Sequence, residues 1–150
     1  MMKSWTQESY KHAAKKHYWN CKFIFQQIPK VCNAQYKNHV VSDCYYLGGY
    51  VVECALKFYI MNKRHLSGAY TKDELEKHNL FHHNLQRLWQ LASEGSDPFP
   101  LEWKGLDEKT KLWTESIRYS KSLNSTEITA ITNEFKRDIE NVFNAVFENF

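Results

Sequence analysis

Tyr46-Leu47-Gly48-Gly49-Tyr50-Val51-Val52-Glu53-Cys54-Ala55-Leu56-Lys57-Phe58-Tyr59-Ile60-Met61 is the stretch that decides the fold. Within it Leu47, Val51, Cys54, Phe58 and Met61 recur at spacings of three and four, the period that stacks side chains on one face of an α-helix. The spacing predicts a helix that begins near residues 39 to 43, and Gly68 is placed to end it or its trailing turn. Gly48 and Gly49 lie inside, each costing ~1 kcal/mol relative to Ala, so a neighbouring helix is expected to approach closely there.

Outward from this helix the same period repeats. Ser4-Trp5-Thr6-Gln7 reads as a capping box before a first helix, with a stripe through Ala14, Tyr18, Cys21, Phe25 and Ile28 that Pro29 interrupts. Thr71-Lys72-Asp73-Glu74 is a second capping box that opens a short helical turn, and Phe81, Leu85, Leu88 and Ala92 give a third helix ending at Gly95. Ser96-Asp97-Pro98-Phe99-Pro100 is a loop. From Asp107 as N-cap, a fourth helix carries Leu106, Trp113 and Ile117 inward and fades near Tyr119 or Ser120. A final helix shows Ile128, Ile131, Phe135, Ile139, Val142 and Val146 on one face, with Asn124 and Glu127 as its start signal. Narrow stripes on long helices are buried only against one another, so the expected fold is all-α, an antiparallel up-and-down bundle of four to five helices.

The 150 residues suit one domain, 1–150, and an apolar content of 43% with 15% aromatics supplies a core that disordered chains lack. No apolar run approaches the ~20 residues that span a bilayer, and the start Met1-Met2-Lys3-Ser4 does not resemble a secretion signal, so a cytoplasmic protein is expected. Cys21, Cys32, Cys44 and Cys54 are too widely spaced for a paired zinc motif and read as reduced core thiols. The formal charge is only +3, yet residues 1–40 carry Lys3, Lys11, Lys15, Lys16, Lys22, Lys30 and Lys37 against Glu8 alone. That imbalance either guides a polyanion toward the first helix or is a solvated lysine face.

Three blocks add a resemblance. Residues 46–57 are similar to the signature helix of the HEPN domains, in which an aromatic, a small-residue pair, Tyr, a Val-Glu pair and Ala-Leu-Lys follow in order. His83-Asn84-Leu85-Gln86-Arg87-Leu88 resembles the family's His-Asp/Asn-Leu block, and Arg118-Tyr119 its Arg-Tyr before the last helix. The similarity runs from about residue 44 to 120, while residues 20–43 and 62–78 show nothing distinctive.

Glu53 and Lys57, four apart, are either an exposed helix pair worth ~0.3–0.5 kcal/mol or, as the resemblance implies, part of a site in which Glu53 orients Arg118 or a ligand group. Arg118 is the leading candidate because a guanidinium presents a planar cationic fork matched to phosphate oxygens. In HEPN ribonucleases an Arg followed four to six residues later by His cleaves RNA without metal: His activates the ribose 2′-hydroxyl and Arg stabilises the charged phosphorane. This chain has Asn124 where that His would stand, and an amide cannot take the proton. Asn124 also suits an N-cap, and Tyr119 suits either the core rim or stacking on a base.

Among seven histidines, His78, His82 and His83 cluster. His78 and His82 would face one way if both lay on the third helix, and could bind a metal or replace the missing base, but no third ligand is apparent. His83 is expected to fix the helix start beside a ligand cleft. No Gly-rich phosphate loop, nucleophile elbow or His-Glu-x-x-His motif is present, and Trp5, Trp19, Trp89, Trp103 and Trp113 read as core and rim.

The resemblance implies a nucleotide- or RNA-binding module, homodimeric, companion of a minimal nucleotidyltransferase in a toxin–antitoxin-like system, with a degenerate ribonuclease motif. Its expected ligand site comprises Glu53, Lys57, Tyr50, Arg118, Tyr119, His82, His83 and Asn124, with no cofactor and no metal. The alternatives are an active metal-independent endoribonuclease in which Arg118 works with His82 or His83, and a purely structural interaction domain.

Overall fold

The structure is a computed structural model that describes residues 2–119 and 131–148, with Arg118, Tyr119 and Thr132 described by their backbone alone. The chain is an all-α bundle, and among the described residues its helices are α1 (Gln7–Gln27), α2 (Ala34–Lys63), α3 (Lys72–Lys77), α4 (Leu85–Ala92), α5 (Glu108–Lys111) and α6 (Lys136–Phe147). Short 3₁₀ turns lie at Ile28–Lys30, Trp103–Gly105 and Glu115–Tyr119, and a π-helical turn at Ile131–Phe135 leads into α6. Among the described residues no helix is long and apolar enough to cross a membrane.

At the centre is α2. Its buried residues include Val51, Val52, Cys54, Ala55, Leu56, Phe58 and Ile60, which point in every direction around the axis, as a helix surrounded by others requires. α1 packs against it in the opposite direction: Gln7 Nε2 donates to Leu66 O at 2.9 Å at one end, and the Cys21 thiol lies 3.7 Å from Cys44 O at the other. The tight turn through Pro29 forces this reversal. The longer connections bring α4 and α6 back alongside α2 in its own direction. Phe135 meets Tyr45 and Phe147 meets Phe58, while Lys63 Nζ at the end of α2 donates to Ala92 O at 3.1 Å at the end of α4.

The helix limits differ from expectation for local reasons. The first capping box is formed by Thr6 and Ser9, two residues later than Ser4 to Gln7. Trp5 exchanges backbone hydrogen bonds of 2.9 Å with Tyr70 and so stands outside the helix. α2 starts at Ala34, several residues early, because Asn33 Oδ1 accepts from Gln35 N and Tyr36 N at 3.0 and 3.1 Å. Residues 33–36 are exposed, so no apolar stripe announced that turn. His65, with φ of 56°, turns the chain away after α2, and Gly68 takes its positive φ in the trailing turn. The Thr71–Glu74 box opens α3 as expected.

α4 begins only at Leu85, capped by Asn84, whose Oδ1 accepts from Arg87 N at 3.0 Å. Phe81 therefore lies outside the helix and stacks its edge on Trp5, and His83 does not fix the start. The predicted fourth helix is broken. Asp107 caps a single turn, after which Trp113 leaves the helix to fill the space over Gly49, and a 3₁₀ turn follows. Asp138 of α6, itself buried, braces this region by accepting from Asp107 N at 2.7 Å and Thr110 Oγ1 at 2.6 Å.

Gly48 meets the close approach expected, since an added Cβ would lie 2.5 Å from Phe135 Cε1 ahead of α6. At Gly49 the neighbour is not a helix but the Trp113 indole, which would overlap any Cβ. All four cysteines are free; Cys21, Cys44 and Cys54 are in the core, whereas Cys32 is exposed in the α1–α2 connection. The N-cap role of Asn124 and the inward placement of Ile128 concern positions outside the described residues.

Candidate functional site

Tyr46, Tyr50, Glu53 and Lys57 follow one another at spacings of four, three and four, so α2 carries them on one face, beside its most apolar stripe. Glu53 and Lys57 are each only 4% exposed, which removes the exposed-pair reading. The Lys57 ammonium lies 3.2 Å from Glu53 Oε2 and over the ring of Tyr10 at 5.6 Å. The second carboxylate oxygen, Oε1, lies 2.7 Å from Nδ1 of His83. A buried carboxylate is thus held by an ammonium on one side and an imidazole on the other, the arrangement that repays its desolvation.

His83 reaches this position through the turn before α4. Asn79 takes φ of 59°, Leu80 drops into the core, and the chain rises so that His83 stands over α2. The hydrogen bond that His83 donates to Glu53, strengthened by Coulomb attraction to Glu53 and Glu115, lifts the His83 imidazole above its ordinary value, against burial and the Lys57 charge. With Nδ1 committed to the carboxylate, Nε2 is the ring nitrogen left for chemistry, as in other carboxylate-oriented imidazoles. Its side chain is 44% exposed.

His82 is occupied differently. Its Nε2 lies 2.8 Å from Asn79 O and its Nδ1 accepts from Asn84 N at 3.1 Å, so both nitrogens serve the turn. Burial, the largest influence, holds it below the usual imidazole range. His78 closes α3, and His82 follows that turn outside any helix, so the two do not share a helical face. Among the described residues no group of three or more His, Cys, Asp or Glu is placed to hold a metal ion.

A surface cavity of about 460 Å³ opens beside His83, lined also by His82, Lys111, Leu112, Trp113 and Glu115. Glu53, Lys57 and Tyr50 are not part of this lining; Glu53 reaches it through His83, and Tyr50 through the rings of His83 and Trp113. Tyr50 is the hinge of the arrangement: its ring centroid lies 5.9 Å from that of His83, 5.2 Å from Trp113 and 6.0 Å from His17. Burial, chiefly, pushes its phenol well up, so it stays protonated. Arg118 and Tyr119 end the 3₁₀ turn that begins at Glu115, and that turn packs on α2. Their side chains and the whole of Asn124 lie outside the described residues.

A larger hollow of about 730 Å³, lined by Trp89, Phe99, Leu101 and Trp103, lies toward the α4 C-terminus. Its charged residues, Glu102 and Lys104, pair with each other at 3.2 Å, and nothing there is poised for chemistry.

His17 was not singled out in the sequence. It lies on α1 beside the buried stripe, its Nδ1 is buried without a hydrogen-bond partner among the described residues, and burial lowers its affinity for a proton, helped by Lys16. Its position between Ala14 and Cys21, three and four residues away, was the available signal. Lys111 and Glu115 were also missed, because a broken helix turns them toward the cavity. No family model, no curated protein and no solved structure matches the chain.

Proposed function

We propose that the chain is a HEPN-like module that binds a nucleotide or an RNA phosphate in the cavity beside His83, working as a homodimer. Its companion, on this reading, is a minimal nucleotidyltransferase in a toxin–antitoxin-like system. The observation that carries the proposal is the 2.7 Å contact between buried Glu53 and half-exposed His83 at the cavity rim. A carboxylate that orients an imidazole and favours its charged form readies it to donate a hydrogen bond to an anion, and Lys111 adds a cation to the lining. Leu112, exposed at the rim, supplies apolar surface for a base or ribose. Arg118 follows Glu115 by three residues, one 3₁₀ turn from the cavity, a placement that supports a phosphate contact.

Titration of fluorescent RNA and of nucleoside mono- and diphosphates into metal-free protein tests this reading. Binding without cutting, weakened at least tenfold by Arg118→Ala and by His83→Ala, is the expected result. Unchanged binding in both variants removes the cavity as the binding site, and no binding by the unaltered protein leaves a purely structural interaction domain. Light scattering that shows monomer alone at micromolar concentration removes the dimer.

The second reading, metal-independent cleavage, is favoured by one observation: His83 is already oriented by Glu53 and can replace the imidazole that Asn124 lacks. His83 Nε2 would take the 2′-hydroxyl proton as that oxygen attacks the adjacent phosphorus, the 5′-oxygen would leave with a proton from solvent, and a 2′,3′-cyclic phosphate would remain. Such ends, absent with His83→Ala, establish this reading over binding alone.

A further inference from the structure

The outward side of α1 carries an organised surface of its own. His12, Lys16, Trp19, Phe23 and Gln26 follow at alternating spacings of four and three and form one stripe opposite the buried face of Tyr10, Ala14, Tyr18, Cys21 and Phe25, with Lys30 in the 3₁₀ turn that follows the helix. Trp19 is 66% exposed and Phe23 63%. Apolar side chains scattered singly over a surface are ordinary, but two large exposed aromatic side chains one turn apart, about 6 Å along the axis, make a local pair. Lys22 holds its ammonium 5.1 Å from the Trp19 ring centroid, which fixes a positive charge beside the indole. Lys16 is exposed one turn before the pair, and Lys30 is exposed in the 3₁₀ turn beyond it.

We propose that this stripe binds single-stranded RNA, with Trp19 and Phe23 stacking on two neighbouring bases and Lys16, Lys22 and Lys30 contacting the phosphates between and beyond them. Stacking platforms interleaved with lysines are what an unpaired strand recognises, because every base has a π-face and every nucleotide a phosphate. The charge favours this occupant over a second copy of the chain. Residues 1–40 hold Glu8 as their one acidic residue, so two stripes facing each other would set lysine against lysine. It also favours RNA over a lipid surface: Asn20 and Gln26 border the rings, and the stripe holds no aliphatic side chain to enter an acyl layer. The stripe and the His83 cavity are separate, since His17 marks the flank of α1 that faces α2.

Anisotropy of a labelled twelve-nucleotide RNA of mixed sequence, titrated with the full chain at two salt concentrations, tests the proposal. Trp19→Ala combined with Phe23→Ala is expected to weaken binding at least tenfold while leaving the circular dichroism spectrum and binding of a duplex of equal length unchanged. Lys16→Ala with Lys30→Ala is expected to reduce the salt slope by roughly 1.4, at about 0.7 per single-strand phosphate. Single-strand affinity equal to that of the unaltered chain in the aromatic double variant overturns the proposal. So does a double variant that loses self-association, or binding to phosphatidylserine vesicles, yet keeps its RNA. His83→Ala separates the two sites: a loss confined to that variant speaks for the cavity and, with the aromatic variant unaffected, against the stripe.

Discussion

Oε1 of Glu53 and Nδ1 of His83 stand 2.7 Å apart although thirty residues separate them in the chain, and one of the pair is buried while the other reaches solvent. Through this contact a charge in the middle of the bundle governs a group at its surface. Lys57 completes the set at 3.2 Å from the other carboxylate oxygen, so each of the three groups depends on the remaining two.

Glu53→Gln removes the negative charge and leaves the Lys57 ammonium buried without its counter-ion. A loss of about 3–5 kcal/mol in unfolding free energy is expected, read as a lower urea midpoint with unchanged slope. Combining it with Lys57→Met, which removes the stranded charge and keeps the volume, should restore most of that loss. A double variant as unstable as Glu53→Gln alone would show that Lys57 is not held by this carboxylate.

The pH dependence follows from the direction of the His83 shift. Its folded value lies above the unfolded one, near 6.5, so its contribution to stability is fully present below about pH 6.5 and is lost as pH rises through the folded value. The stability gap between the unaltered protein and His83→Asn should therefore be widest in mild acid and narrow toward alkaline pH. His17 and His82, shifted down, act in the opposite sense in both proteins and cancel from the comparison. Imidazole NMR titration should find His83 ionising above His17 and His82; the reverse order contradicts the site.

Gly49→Ala gains ~1 kcal/mol of helix propensity but drives a Cβ into the Trp113 indole, and overpacking of a rigid ring costs about 1–3 kcal/mol or more. A net destabilisation is expected by thermal unfolding. Pairing it with Trp113→Leu should recover part of the loss, because the branched side chain leaves room over α2. Gly49→Ala that stabilises the protein would mean that Trp113 is not seated there.

Thiol alkylation should be confined to one position. Burial pushes the Cys54 thiol up to about 12 and Cys44 also upward, where the Cys21 contact is the largest influence, while Cys32 is exposed. Mass spectrometry of native protein treated with iodoacetamide should find one adduct, at Cys32. Labelling of Cys54 at a similar rate would show that α2 is not enclosed.

Much of the fold was legible before any coordinates. Periodicity located α1, α2 and α6, and the box at Thr71 located α3, because hydrogen bonding along a helix and burial of one stripe are local properties of neighbouring residues. Glycine at positions 48 and 49 marked close contact for the same reason. The failures were at ends and breaks. Asn33 capped α2 in a polar stretch with no stripe, and Trp113 abandoned its helix to cover Gly49, a gain invisible to any local rule.

For the site, the sequence by itself determined that Glu53 and Lys57 share a helical face and that His83 lies near a helix start. Only the tertiary structure decided that the pair is buried, that His83 rather than His82 has a nitrogen to spare, and that His17 joins Tyr50 from α1. The physical reason is that spacing along a helix fixes direction around its own axis, whereas burial and protonation depend on what a distant segment brings against that face.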